Sequence, residues 1–289
     1  MAADEQEESF EPEIDRHNRF VDAAIIITSG LITAYFAKQA KRAIANMKKS
    51  LSADDVYSGV NEFRELEILR GVIRPALTTI ASASTADLVW RVTPGFDPDV
   101  DQLGRWAKME KAGYEFPRDV RLAIRGRVDE QLEGSYFGKT AMGTFDAAGE
   151  GVKQLVAAGK TMADAIDEVE QKINDAIPAR SERIAETESN CAINQGNQTG
   201  ARILTTTGMA ENKTWVTMAD ELVRAAHDAK HGEVIPVDNL WVLAGGYTCP
   251  HPGHWQLPIH LRIHCRCFQI VGFSITELDA IPQSLRITV

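Results

Sequence analysis

The stretch "CRCFQIVGFSI", residues 265–275, gives the strongest strand signal in a chain that otherwise reads largely as helix. Branched and aromatic side chains fill it, which is typical of strands. Cys265 and Cys267 begin it, and residues two apart on a strand point to the same face of the sheet. The stretch therefore predicts a small sheet late in an α+β fold, with both sulfurs converging on one centre.

Histidines and cysteines are concentrated around this strand: six of the seven histidines and three of the four cysteines lie within residues 227–267. A disulfide between Cys265 and Cys267 would close a small strained ring. A structural zinc site is the favoured interpretation, and unligated buried thiols or a redox or catalytic role are the alternatives. We expect the ligands to be His227, Cys249, Cys265 and Cys267, with His251 and His254 as alternates for Cys249. Four protein ligands leave no open coordination position, so this zinc would be structural.

The sequence HDAKH, residues 227–231, offers another use for the same histidines. Two histidines four residues apart with an acid between them resemble H-E-x-x-H, in which a helix presents both imidazoles to zinc and the carboxylate activates water. Here the acid is Asp228, one methylene shorter than glutamate, and Gly232 ends the predicted helix directly after His231. A metal-dependent hydrolase or nuclease using His227, His231 and the cysteines is thus the alternative function, while we expect no enzyme activity.

Helical patterns fill most of the chain before this region. Thr161 and Asp164 have the spacing of a capping box, and an apolar stripe follows them to residue 177. Pro178 predicts a break, after which a second helix begins with a polar stripe at intervals of three and four. The stripe consists of Arg183, Thr187, Asn190, Asn194 and Asn197. It is either a solvated face or a set of side chains that bind neighbouring backbone.

These patterns divide the chain into three parts. Residues 1–15 are acidic and nearly lack large apolar side chains, so we expect a disordered tail. Residues 16–177 form a mainly helical, partner-facing region. Residues 178–289 form a small α+β domain with few short strands.

Composition narrows the function classes. The chain has 289 residues, 44% of them hydrophobic, and a net charge of −10, which argues against a general DNA-binding surface. Its four cysteines are too sparse for a disulfide scaffold. The most apolar run, residues 23–37, is 15 residues long and too short to cross a bilayer. We therefore expect a buried or partner-facing helix and no membrane span.

Three blocks of sequence carry a family resemblance. The first block contains Ile184, Ala185, Thr187, Glu188, Ala192 and Asn194. The second contains Lys213, Trp215, Asp220, Val223, Arg224, His227 and Gly232, and the third is Cys265, Arg266 and Cys267. In this order they resemble the phage Mu F-like minor head proteins, also called head morphogenesis proteins of tailed phages. His264 stands where that family usually has asparagine.

The resemblance implies a structural protein of the virion, assembled in the host cytoplasm and located at or near the portal vertex, where head and tail connect. Its partners would be the portal protein and other head proteins, without direct sequence-specific binding of nucleic acid. Some members of the family are thought to be ejected with the DNA. A structural role is assigned to Arg183, Thr187, Glu188, Asn194, Trp215, Asp220 and Arg224.

Overall fold

A computed structural model of the chain describes residues 2–92, 97 and 101–273, and the side chains of these residues except 2–9, 135, 136 and 138. Long helices make up the described chain as far as Thr206. They are α1 (Ala2–Ser50), a 3-10 turn (Asp54–Tyr57), α2 (Glu62–Trp90), α3 (Gln102–Lys111), α4 (Arg118–Glu133), α5 (Ser135–Ala157) and α6 (Met162–Thr206). Helices in proteins are stabilised mainly by the packing of an apolar face.

Short strands follow the last long helix. They are β1 (Ala210–Val216), β2 (Val234–Pro236), β3 (Trp241–Val242), β4 (Thr248–Cys249) and β5 (Phe268–Phe273), with the short helices α7 (Ala225–Asp228) and α8 (Ile259–Arg262) between them. An antiparallel sheet has the order β2-β1-β5, and β3 pairs with β4. A mainly helical part followed by a small region of short antiparallel strands confirms the predicted α+β class. The predicted strand 265–275 ends outside the described residues.

The chain forms two compact units. One contains residues 1–25, 76–131 and 186–289, and is called the sheet-bearing unit. The other contains residues 26–75 and 132–185, and is called the helical unit. The division falls inside α1, α2, α4 and α6, not at the predicted boundary between residues 177 and 178.

An apolar core fills the helical unit. Its fully buried members include Met47, Val56, Phe145 and Ile166, and the predicted stripe of α6 contributes to it. The predicted capping pair is present, since the Thr161 hydroxyl accepts a hydrogen bond from the backbone N–H of Asp164 at 3.2 Å. This end of α6 therefore follows the sequence pattern.

Two local predictions differ from the structure. Pro178 lies inside the continuous helix α6 and does not start a new one. Proline removes one backbone donor, and the helix continues because residues on both sides, Ile177 and Ser181, are buried. The acidic tail predicted to be disordered lies in α1, where Glu13 pairs with Arg91 at 2.9 Å.

Within the described residues, one helical segment, Phe10–Ser50, is long and apolar enough to cross a membrane. This segment is longer than the run of residues 23–37 on which the prediction of no membrane span was based. Part of it is buried in the protein, and core helices pass the same test of length and composition. The finding is weak evidence for a membrane span.

Candidate metal centre

Cys265 and Cys267 lie just before β5, which begins at Phe268. The predicted strand thus begins later than the sequence pattern suggested. The preceding residue, His264, has a φ of 54°, so the chain passes through the left-handed region as it leaves α8. Both sulfurs nevertheless reach the same imidazole, that of His227.

His227 meets both sulfurs through its Nδ1 atom. That atom lies 3.6 Å from Sγ of Cys265 and 3.5 Å from Sγ of Cys267. The three ligand atoms lie within 4.8 Å of one another, and all three residues are buried. In tetrahedral zinc sites, with Zn–N of about 2.05 Å and Zn–S of about 2.3 Å, the nitrogen and sulfur ligands are about 3.6 Å apart. This group, called the trio, could therefore hold a metal ion.

The sheet and α7 fix the position of the imidazole. His227 lies on α7, and its backbone N–H donates to the carbonyl of Arg224 at 2.8 Å. The ring of Trp215, on β1, packs edge-on against the imidazole with centroids 5.5 Å apart. Trp215 is fully buried and packs edge-on against Trp241 of β3. The imidazole thus packs against Trp215, a member of an apolar cluster that contains both cysteines.

Two asparagines of α6 fix the backbone of the cysteine segment. The side-chain amide of Asn190 donates to the carbonyls of Cys265 at 2.6 Å and Cys267 at 3.2 Å. Asn194 donates to the carbonyl of Cys267 at 3.0 Å and accepts from the backbone N–H of Gln269 at 3.2 Å. Both asparagines are buried. The polar stripe therefore binds backbone at these positions, because buried polar groups need partners.

The two thiols of the trio differ in how readily they lose a proton. A hydrogen bond from the Cys267 thiol, supported by His227, holds the pKa of Cys265 well below its ordinary value in spite of burial. The neighbouring Cys265 and burial raise the pKa of Cys267 well above its ordinary value. The pair therefore loses one proton readily and the second with difficulty, because two adjacent thiolates repel each other. A divalent cation would offset this repulsion.

Cys249, the expected fourth ligand, is buried on β4 in the same apolar cluster. Its sulfur is not among the ligand atoms that converge within 4.8 Å. Burial raises the pKa of Cys249 to about 12. The structure thus places Cys249 near the trio and outside its ligand set.

The other candidate histidines have different partners. His231 lies beyond the end of α7, and its Nδ1 is 2.9 Å from the Thr217 hydroxyl. His251 shares a hydrogen bond of 3.0 Å with Gln195. His254 is buried beside His251, and burial lowers the pKa of His254 to about 4. The short α7 does not present His227 and His231 together, as an H-E-x-x-H helix would.

Two further motif residues, Glu188 and Asp220, accept hydrogen bonds from arginines near the trio. Glu188 is fully buried and accepts from Arg262 at 2.6 Å and from Gln131 at 2.7 Å. Asp220 accepts two hydrogen bonds from Arg266, at 2.6 and 2.8 Å. These contacts connect α6 to Arg262 of α8, and the loop after β1 to Arg266 between the two cysteines.

Three further motif residues complete this description. The Thr187 hydroxyl accepts from the backbone N–H of His264 at 3.3 Å, and Arg224 donates to the carbonyl of Ile263. Arg183 is exposed and belongs to the helical unit. The structure thus brings Thr187 and Arg224 to the segment before the cysteines, while Arg183 lies in the other unit.

Two buried polar residues have contacts that the sequence did not predict: His17, which lies outside the motifs, and Lys213, which lies in the second sequence block. His17 of α1 stacks on Phe268 at 4.3 Å between ring centroids and lies 3.0 Å from the Asn190 side-chain oxygen. Lys213 is fully buried, donates to the carbonyl of Pro250 at 2.7 Å and lies 4.5 Å from the Trp241 ring centre. Burial lowers the pKa of Lys213 to about 7. Lys213 lies between Asn212 and Thr214, so no apolar pattern around it predicts its burial, and His17 carries no sequence signal either.

The chain can be compared with known protein families, curated proteins and solved structures. No curated protein matches the chain, and no solved structure matches it. Residues 148–270 match the model of a family described as phage Mu protein F like protein. This range contains the polar stripe of α6, the trio and all three sequence blocks. The predicted resemblance is confirmed: over residues 148–270 the chain is similar to phage Mu F-like proteins.

Proposed function

We propose that this protein is a structural minor head protein of a tailed phage that acts in head morphogenesis at or near the portal vertex. The single observation that carries the proposal is the family match over residues 148–270, since the family suggests head morphogenesis. The partners are the portal protein and other head proteins. The protein is assembled in the host cytoplasm and incorporated into the virion, and ejection with the DNA, which some family members are thought to undergo, is tested below.

An exposed apolar strip of α1 supports docking to such a partner. Within the predicted partner-facing run, Ile26 is 75% exposed, Ile27 46% and Leu31 37%. Ile27 and Leu31 are four residues apart, so they lie on one face of the helix. Side chains at this spacing are those that a groove on another protein takes up. We propose that this strip binds the portal protein.

Co-expression with the portal protein of the same phage tests this function. The wild-type chain is expected to co-purify with the portal protein. The double variant Ile27→Asp, Leu31→Asp is expected to lose this interaction, because it places two charges on the apolar strip. Leu122→Asp is the matched control, because Leu122 is 57% exposed on α4 of the sheet-bearing unit. Purified virions should contain the chain by mass spectrometry, and its absence from them would overturn the proposal. Comparing full with emptied particles shows whether it is ejected.

We also propose that the trio binds one zinc ion in a structural role. The distances of 3.6 and 3.5 Å support this, because they match the separation of nitrogen and sulfur ligands around zinc. Purified protein should contain about one zinc per chain, and Cys265→Ser should remove it. Cys191→Ser is the matched control, since Cys191 is also buried but lies outside the trio. Wild-type protein that takes up no zinc would contradict the proposal.

A metal-dependent hydrolase or nuclease has less support. That function needs His231 beside the metal, whereas His231 bonds to Thr217 and packs against Phe10. The structural role is therefore the one we propose.

A further inference from the structure

We infer that the metal site of the trio has an open fourth position, which takes one monodentate donor from outside the chain. The donor is water in the purified protein, and a nitrogen or sulfur donor such as an imidazole or a thiolate replaces it. This inference rests on the proposed zinc site and goes beyond it, because the trio fills only three of the four positions that zinc usually has.

The first argument for an open position comes from the number and charge of the ligands. The trio supplies one nitrogen and two sulfurs, whereas zinc in proteins is almost always four-coordinate. Two thiolates already balance the charge of a divalent ion. The fourth ligand can therefore be neutral and weakly held, so it can exchange.

A cleft beside the trio carries the second step. All three ligand residues line it, together with Met218, Val223 and other residues of the loop after β1. It offers about 10 Å³ to a water-sized molecule, close to the roughly 10–15 Å³ that one water needs. The cleft therefore has room for a water molecule, or for the donor atom of a small group that enters from the surface.

The position of Cys249 carries the third step. Cys249 does not line this cleft, and its sulfur lies outside the group of converging ligand atoms. It is held in β4, where it pairs with Trp241 across the two-stranded sheet. A donor in the cleft, by contrast, reaches the space that all three ligand residues line.

The cleft also connects to the surface. Leu222, which lines it, is 70% exposed, and Arg224 lines it next to His227. Arg224 occupies the N-cap position of α7, three residues before His227. We therefore expect a shorter, metal-binding side chain at position 224 to compete for the open position.

Cobalt(II) substitution of the full chain tests the inference, because thiolate-to-metal absorption counts sulfur ligands and visible bands report the coordination geometry. Wild type and Cys249→Ser should give equal absorption per cobalt, and added imidazole should shift the visible bands of both. Arg224→Cys should raise the thiolate absorption about 1.5-fold, from two sulfurs to three, and abolish the imidazole shift. Arg224→Ser is its control and should keep the wild-type spectrum.

The outcomes separate this inference from the zinc proposal. Wild-type protein that binds no cobalt or zinc overturns both. Wild-type protein that binds metal but loses about a third of its thiolate absorption in Cys249→Ser has Cys249 as its fourth ligand, which overturns only the open position. Spectra insensitive to imidazole and to mercaptoethanol at 1:1 metal loading would also overturn it. Circular dichroism of each variant identifies any that fails to fold, and for such a variant the imidazole shift of the wild type decides.

Discussion

The helical unit buries apolar side chains, whereas residues 186–273 of the sheet-bearing unit bury many polar ones. The core of the helical unit is built from alanine, branched aliphatic side chains and Phe145. Around the trio, Glu188, Asn190, Asn194 and Lys213 are all buried. Apolar burial depends little on pH or metal ions, while buried hydrogen bonds and thiols depend on protonation and on ligands. The two regions should therefore respond to different perturbations.

The largest expected loss of stability comes from a change in the core of the helical unit. Phe145 is fully buried in its core, so Phe145→Ala should lower the free energy of unfolding by about 3–5 kcal/mol. Phe63→Ala is the matched control, because Phe63 is 72% exposed. It should change stability by less than about 0.5 kcal/mol.

Two optical probes can assign this loss to one unit. All five tryptophans lie in the sheet-bearing unit, whereas helical circular dichroism reports on both units. Urea unfolding of Phe145→Ala should shift the circular dichroism transition more than the tryptophan fluorescence transition. Equal shifts of both transitions would show that the two units unfold together, which would contradict the expectation that each has its own stability.

Metal removal should act on the other region. If zinc is present at 100 to 1,000 times its dissociation constant, its removal should cost about 3–4 kcal/mol, because the ion binds the folded state. A chelator should therefore lower the midpoint of the tryptophan fluorescence transition. Cys265→Ser should already have the lower midpoint and should not respond to the chelator, whereas Cys191→Ser should respond as the wild type does. A wild-type midpoint that is unchanged by chelation would contradict a structural role.

The same contrast explains what the sequence could and could not predict. Local patterns predicted the capping of α6 at Thr161, its apolar stripe and the strand after Cys267, because each depends on residues close together in the chain. The convergence of Cys265 and Cys267 on His227 followed from their chemistry and close spacing. Contacts between distant residues, such as Glu188 with Arg262, have no local signature.

The predictions that differ from the structure also concern contacts between residues far apart in the chain. Pro178 was expected to end a helix, but tertiary packing on both sides outweighs the loss of one backbone hydrogen bond. Cys249 was predicted as a ligand from composition alone, whereas the pairing of β4 with β3 sets the position of its backbone. A count of possible ligands does not contain that information.

Acid should weaken the sheet-bearing unit first, since all seven histidines lie in it. Burial lowers the pKa of His17 to about 4 in the folded protein, while an unfolded histidine has a pKa of about 6.5. Between these values the unfolded chain binds a proton that the folded chain does not, so stability falls as the pH falls. From pH 6.5 to 4.5, His17 should account for a loss of about 2 kcal/mol.

Urea unfolding followed by tryptophan fluorescence at several pH values measures this loss. His17→Gln should show a weaker dependence on pH over that range, and His260→Gln should keep the wild-type dependence, because His260 is exposed. If His17→Gln had the wild-type slope, the loss would belong to other buried histidines, such as His254, whose pKa burial also lowers to about 4.

The smallest expected effect comes from a single side chain of the polar stripe. Asn194 is fully buried; it donates to the carbonyl of Cys267 and accepts from the N–H of Gln269. Asn194→Ala removes both partners and leaves two backbone groups unpaired in the interior, which should cost about 1–3 kcal/mol. The exposed Asn239 provides the control, since Asn239→Ala removes an amide of the same size from the surface. Because Asn194 holds the backbone of a trio residue, its loss should also weaken metal binding, whereas the Phe145→Ala change should not. Zinc affinity measured by chelator competition therefore sharpens the comparison: equal affinities of Asn194→Ala and wild type would mean that the stripe stabilises the fold without positioning the metal ligands.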